Sequence, residues 1–354
     1  MGALVAGCGD NGGDAEPSVS TRSATSATPS TPRALKLEVA GTVATGIEVP
    51  WGLTFLPDKS ALVASRDSGE VKRIADGRVT SVGSVPGVDS SSEGGLLGLA
   101  VDPAYPSRPY VYAYYSTSSD NRIARLTYQN GRIGSPQVIL QGIPMAAVHN
   151  GGRLRFGPDG FLYAGTGDGT EGPNSQSDDS LGGKILRITT DGKAAPGNPG
   201  GRLWYSKGHR NVQGLAFDGS QLYAAEFGQN TWDELNVITA GANYGWPAAE
   251  GVSQLDGMVD PVAQWRTSDA SPSGITFAQG YIFMAGLRGQ RLWAIPVADG
   301  RRTGEPVAFF TNQFGRLRTV EAAPDGSLWL TTSNTDGRGT PRAGDDRILR
   351  VTIS

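Results

Sequence analysis

His149–Asp168 reads HNGGRLRFGPDGFLYAGTGD and holds one complete copy of a unit that recurs along the chain. The unit opens on GRLRF, an alternation of period two in which every second side chain faces the same way. Pro158, Asp159 and Gly160 then supply turn chemistry. Proline presets φ, aspartate bonds its own backbone, and glycine accepts positive φ. FLYAG, at 161–165, follows as a second short strand.

Related units start at Gly52 (GLTFLPDKSALVAS), Gly98 (GLAVDPAYPSRPYVYAYY), Gly214 (GLAFDGSQLYAAEF), Gly274 (GITFAQGYIFMAG) and Arg318 (RTVEAAPDGSLWLTT). After a variable loop, each is closed by a further strand: VKRI, NRIARL, GKILRI, DELNVI, QRLWAI and DRILRV. Six copies of a short-stranded meander, roughly 45 to 60 residues apart, predict an all-β six-bladed β-propeller with one four-stranded antiparallel sheet per blade. One meander cannot bury both its faces, whereas six around an axis can. The strand near 36–46 is expected to join the blade that ends in RILRVTIS, which ties the two ends together and removes an exposed edge. Loops leading into first strands, and those following first and third strands, are expected at the axis or a mouth.

Composition agrees. The 354 residues include 51 glycines, placed beside Pro, Asn and Asp at turn-like spots. Net charge is −3, so no basic face is implied and nucleic acid is not expected as a partner. The single cysteine, Cys8, excludes a disulfide within the chain. It ends LVAGC, residues 4–8, which reads as a bacterial lipobox. The alternative is a stray cysteine in a tail. Only seven residues precede it, fewer than a full signal sequence. Residues 1–35 are therefore expected to be a lipobox remnant and a disordered Ser/Thr/Pro/Gly tether, with 36–354 as the propeller. The protein is expected outside the cytoplasm, lipid-anchored to the cell membrane or secreted.

Several polar residues fall at strand ends. His149 precedes a first strand; it is either a proton acceptor near pH 7 or a half-buried structural histidine. Asp168 either orients that imidazole or closes a turn. Glu93 holds the equivalent place one blade earlier, where a solvated glutamate is also common. His209, Arg210 and Asn211, in adjacent positions, suit an anionic, carbonyl-rich ligand. Gly228 and Gln229 offer backbone carbonyls in a loop with Glu226, Asp233 and Glu234, a donor set that suits calcium. Arg316 and Arg318 project on one face of an extended segment. They either flank an anion or lie solvated at a blade edge.

In this order the motifs resemble the soluble pyrroloquinoline quinone (PQQ)-dependent glucose and aldose sugar dehydrogenases, over roughly residues 45–353. The pieces that carry the likeness are PWGLTFLPD, EGGLLGLAVDP, HNGGRLRFGPDGFLYAGTGD, LGGKILRI, GHRNVQGLAF, GQNTWDELN, GANYGWP, LRGQRLW and GRLRTVEAAPDG. The resemblance implies oxidation of the C1 hydroxyl of an aldose to a lactone, with PQQ and Ca2+ as cofactors and an external electron acceptor. It makes His149 the general base, Asp168 its assisting carboxylate and Glu93 a contact to substrate or base. It places Arg210 and Asn211 on the quinone, with Arg210 catalytic near its reacting carbonyl, Arg288 at a cofactor carboxylate, and Arg316 and Arg318 as the arginine pair of the cofactor site. The carbonyls of Gly228 and Gln229 become the calcium ligands. Val148 stands where the glucose dehydrogenases carry an acid, and Gln229 where they carry proline. With the short loops, these departures imply an open, unselective sugar pocket. Two other functions fit such a ring: a non-catalytic ligand- or protein-binding lipoprotein, and a calcium-dependent lactonase. The joint presence of His149, Arg210, Arg288, Arg316 and Arg318 favours the dehydrogenase.

Overall fold

Six antiparallel sheets stand around an axis in the computed structural model, which describes residues 35–354. Cys8 and residues 1–34 of the expected tether lie outside the described residues. Blade one runs Pro50–Phe55, Ala61–Ser65, Glu70–Ala75 and Arg78–Ser84. Blade two runs Leu96–Val101, Tyr110–Ser116, Asn121–Gln129 and Gln137–Ile143. Blade three runs Gly151–Phe156, Leu162–Thr166, Lys184–Ile188 and Trp204–Lys207. Blade four follows as Val212–Asp218, Gln221–Glu226, Trp232–Ile238 and Ala263–Arg266, and blade five as Pro272–Ala278, Tyr281–Gly286, Arg291–Ala298 and Val307–Phe309. Two-residue strands, Arg132–Ile133 and Arg301–Arg302, extend blades two and five. Blade six is Leu317–Ala322, Leu328–Thr332 and Arg347–Ile353, completed on the outside by Leu37–Thr45. That last pairing is antiparallel, from Leu37 opposite Ile353 to Thr45 opposite Arg347, as closure of the ring predicts.

The innermost strand of each blade touches those of the two neighbouring blades, in one closed cycle. These contacts are close, which explains the recurrent glycine. A Cβ at Gly98 would overlap the carbonyl oxygen of Gly152 in blade three, and one at Gly214 would overlap that of Ser273 in blade five. Overpacking backbone against backbone leaves no side chain to yield. Gly98→Ala is therefore expected to destabilise the ring by roughly 3 kcal/mol in urea unfolding.

Apolar burial lies between blades. Trp51, Tyr112, Leu154, Ile188 and Trp204 belong to one cluster around blades two and three. Ala44, Ile47, Leu53, Val63 and Ile348 seal blade six to blade one.

Two expectations are corrected. The segments read as closing strands are the third of each blade. The fourth is the outermost; where it is exposed on much of its length, as in Arg78–Ser84 and Val307–Phe309, it carries little pattern. Loops following first and third strands lie at the end of the ring away from the site. A meander reverses at every turn, so starts of first strands and ends of second strands share the other mouth.

Candidate active site

That mouth opens into a cavity of about 530 Å3, within the range of small-ligand sites. The starts of first strands contribute Trp51, Glu93, His149, Arg210, Asn211, Ser271 and Arg316. The ends of second strands contribute Arg66, Phe227, Gly228, Gln229, Arg288 and Asp336. Gln213 and Arg318 reach up from inner strands. Six arginines (66, 210, 288, 316, 318 and 338) face three carboxylates, Glu93, Asp233 and Asp336. Of the singled-out site residues of the ring, Glu93, His149, Arg210, Asn211, Gly228, Gln229, Asp233, Arg288, Arg316 and Arg318 line this cavity. Asp168 sits directly behind His149, and His209, Glu226 and Glu234 lie outside the cavity lining.

His149 takes a left-handed backbone, φ 64°, at the turn into blade three. Its Nδ1 is 2.8 Å from Asp168 Oδ1, at the end of the second strand of the same blade. Asp168 also accepts Thr170 N–H at 2.8 Å and the indole N–H of Trp246 at 2.8 Å. Burial pushes this carboxyl up, but the bonds and charge from His149, with Trp246 and Thr170, hold it below the usual carboxylate range. An ionised Asp168 fixes the proton on Nδ1 and leaves the Nε2 lone pair toward the cavity. Glu93 Oε2 accepts the backbone N–H of His149 at 3.3 Å, and its Oε1 pairs with Arg338 at 2.6 Å. Trp246→Phe removes one donor to Asp168 while keeping the ring's bulk. It is expected to slow any proton transfer to His149 about ten-fold, read as a fall in kcat.

Arg210 stacks on Trp246, 5.4 Å from its centroid, and donates Nη1 to the Gly228 carbonyl at 2.7 Å. Burial lowers its pKa, and Asp168 and Glu226 oppose that shift. Asn211 is buried and accepts Gly151 N–H, which braces the backbone beside His149. His209 differs from the sequence expectation. Fully buried, it bonds Glu226 through Nδ1 at 2.7 Å and Ser206 through Nε2 at 2.9 Å, and stacks on Tyr244. It faces the blade interior, held there by Glu226 and Ser206, in the loop that precedes the first strand of blade four.

Arg316 and Arg318 already have an anion between them: Asp336 Oδ2 lies 3.0 Å from Arg316 and 3.6 Å from Arg318. Neither arginine is a solvated edge residue; Arg318 is 6% exposed. Its guanidinium also donates to Gln213 Oε1 at 2.9 Å. Arg288 stands exposed at the rim.

The Gly228–Gln229 turn is held from behind. Glu250 Oε1 accepts four successive backbone N–H groups, Gln229 to Trp232, at 2.8–3.0 Å. Burial pushes Glu250 up, yet those four donors hold it below its ordinary value. Asp233 accepts Gly228 N–H and Ser271 N–H. Lys184, buried in GGKILRI, donates to the carbonyls of Asn174, Ser175 and Gly182, and so ties down the loop that Asn174 fastens to Asp168. Sequence reasoning missed Arg66, Trp246, Glu250, Asp336 and Arg338. Arg66 and Asp336 follow second strands, just as Arg288 does, so position within the repeat is the signal that finds them.

A second cleft, about 610 Å3, opens on the Asp168 side of His149 between Thr170, Trp246, Pro247, Asn230 and Glu250. It joins an aromatic wall to carboxylates, a surface suited to a polyhydroxylated ring.

Comparison with known proteins agrees with this geometry. Residues 47–349 match the Glucose / Sorbosone dehydrogenase family. The PQQ-bound aldose sugar dehydrogenase of Streptomyces coelicolor is 53% identical, with a TM-score of 0.89 over 91% of this chain and 99% of that one. Aldose sugar dehydrogenase YliI of Escherichia coli strain K12 is 29% identical, covering 82% of this chain and 89% of the relative. Quinoprotein glucose dehydrogenase B of Acinetobacter calcoaceticus is 29% identical over 67% of this chain and 59% of its own length. With a six-bladed ring and a match over most of its length, this chain belongs to the glucose/sorbosone dehydrogenase family.

Proposed function

We propose that this protein is a PQQ- and calcium-dependent aldose dehydrogenase that oxidises the C1 hydroxyl of an aldose to the lactone. The observation that carries this reading is the convergence of the His149–Asp168 pair and six arginines on one cavity. The names of the family and of its relatives support it.

The residues present fit both groups. PQQ is a flat quinone with three carboxylates. Arg288, Arg316 and Arg318 would hold carboxylates, and Arg210 and Asn211 the ring carbonyls. The buried Nε atoms of Arg210 and Arg318 have no acceptor within the described protein, and an oxygen-rich anion supplies one. Calcium would take the Gly228 and Gln229 carbonyls. Gly228 O already accepts Arg210 but keeps a second lone pair. When bound, PQQ accepts the hydride and calcium polarises it as a Lewis acid.

The chain's own residues do the rest. Nε2 of His149 takes the proton of the C1 hydroxyl as the C–H bond breaks. Asp168 keeps the tautomer and stabilises the imidazolium as it forms. Trp246 locks Asp168 and offers its face to the sugar, while Glu93 fixes the backbone of His149. The open second cleft suits a range of aldoses.

Titration with PQQ and calcium, followed by absorbance, tests this directly. Aldoses added with an external electron acceptor should then turn over. Failure to bind PQQ sinks the reading. Loading in the presence of EGTA should give inactive protein that added calcium restores; full activity in EGTA would remove calcium from the scheme.

We also place the protein outside the cytoplasmic membrane, held by a lipid on Cys8, on the support of the LVAGC sequence. Among the described residues, no helix is long and apolar enough to cross a membrane. Incorporation of labelled palmitate that is lost in Cys8→Ala tests the anchor.

A further inference from the structure

Beside the main cavity, on the side of blades five and six, lies a cleft of about 320 Å3. Arg288, Arg316, Arg338 and Arg342 line it, and no acidic side chain does. Their charges are unevenly compensated. Arg316 pairs with Asp336 and Arg338 with Glu93. Arg288 and Arg342 form no ion pair among the described residues; Arg342 gives Nη1 only to the Gln313 carbonyl, at 2.8 Å. Asp345, the acid nearest in sequence, is turned inward. It pairs with Arg347 and accepts the backbone N–H of Arg342. The cleft therefore presents guanidinium donors with excess positive charge.

A neutral sugar can accept from such a wall but cannot neutralise its charge, and guanidinium offers no acceptor to its hydroxyl protons, whereas an anion does both jobs with its oxygen or nitrogen acceptors alone. The carboxylates and the indole suited to a sugar lie on the other side, in blades three and four. Blades three and six face each other across the ring. Arg288, Arg316 and Arg338 also border the main cavity, so its cofactor can engage them from within. Arg342 belongs to this cleft and not to the main cavity, and forms its exposed outer wall.

We propose that this cleft is a second anion-binding site, at which an anionic electron acceptor docks beside the cofactor. The proposal rests on the sugar oxidation proposed above. Each aldose oxidised to its lactone releases two electrons and two protons. Two ferricyanide ions take one electron each and become ferrocyanide, and the protons pass to solvent.

Arg342→Glu tests it at an exposed side chain with a single hydrogen bond. At low ionic strength the KM for ferricyanide should rise roughly ten-fold, and the effect should shrink in about 0.5 M salt. Turnover with neutral benzoquinone, and the KM for the sugar, should stay within about two-fold of wild type. Ferrocyanide titrated calorimetrically into the full chain, with and without PQQ, should bind wild type and bind Arg342→Glu more weakly by a similar factor. An unchanged ferricyanide KM, an equal loss with both acceptors, or no ferrocyanide binding overturns the proposal. A changed KM for glucose 6-phosphate without a changed KM for ferricyanide overturns it too, in favour of an acidic sugar. Ferrocyanide binding without turnover upholds the anion site and counts against the sugar oxidation instead.

Discussion

His149→Asn lowers kcat on aldoses by about three orders of magnitude, while PQQ binding stays within about two-fold of wild type. The size follows from what the imidazole alone supplies. Without Nε2 no group at that place can take the hydroxyl proton, and general-base assistance contributes about 10²–10⁴ in rate. Asparagine is the informative replacement because position 149 has φ 64°, and asparagine tolerates the left-handed region. The turn should hold, Glu93 should keep its bond to the backbone N–H, and the arginines should be undisturbed. An absorbance titration of PQQ and a single-turnover rate separate the two effects. A variant that binds PQQ normally and turns over within ten-fold of wild type would show that the proton leaves by another route.

The second large effect concerns Asp336. Its carboxylate, 2% exposed, lies between Arg316 and Arg318. Asp336→Asn leaves two neighbouring guanidiniums, one of them buried, without a counter-charge. Removing one partner from a buried pair costs about 3–5 kcal/mol; Arg316 retains some solvent, which points to about 3 kcal/mol here. Saturating PQQ should then raise the Tm of the variant more than that of wild type, because its carboxylates restore the missing charge. pH separates this from simple damage. Burial pushes Asp336 up, but Arg316 and Arg318 outweigh it and hold its folded value below the ordinary one. Its contribution is therefore complete above about pH 4 and fades as pH falls through the lowered value. Urea unfolding should show wild type and variant well separated at neutral pH and converging as the pH falls below the ordinary carboxylate value and through the lowered one. A constant gap across that range would assign the loss to packing.

The ring was legible because every blade repeats the same two short strands with a turn between them. Period-two alternation recurs in the units, an Asp-Gly or Pro-Asp turn in four of the six and an opening glycine in five, and the repetition makes these local signals global. The outer strands were not legible. Arg78–Ser84 is solvent-facing at its first four residues, so little selects an apolar pattern there. Leu37–Thr45 was found only because a closed ring needs a partner for the last strand.

The site was partly legible for a different reason. His149, Arg210 and Arg318 stand beside recognisable strands, so the repeat places them at one mouth. Trp246 and Glu250 sit in a long loop after blade four's third strand, and nothing near them in sequence says that they brace Asp168 and the Gly228 turn. His209 shows the opposite failure: adjacency to Arg210 suggested a shared direction, and bonds to Glu226 and Ser206 hold it the other way.

The pairing of Leu37–Thr45 with Arg347–Ile353 also bears on how the molecule comes into being. Lys36 and Ser354 exchange backbone hydrogen bonds at 2.9 and 3.0 Å, so the first part of the ring to leave the ribosome is matched with the last. Five blades can form in the order of synthesis, each from contiguous chain. The sixth has to wait for the final residues, with the seam through Ile47, Leu53 and Ile348 exposed meanwhile. Closure spans the largest sequence separation in the ring and is the step that loop entropy slows most. The birth of the active protein is thus timed by its last strand.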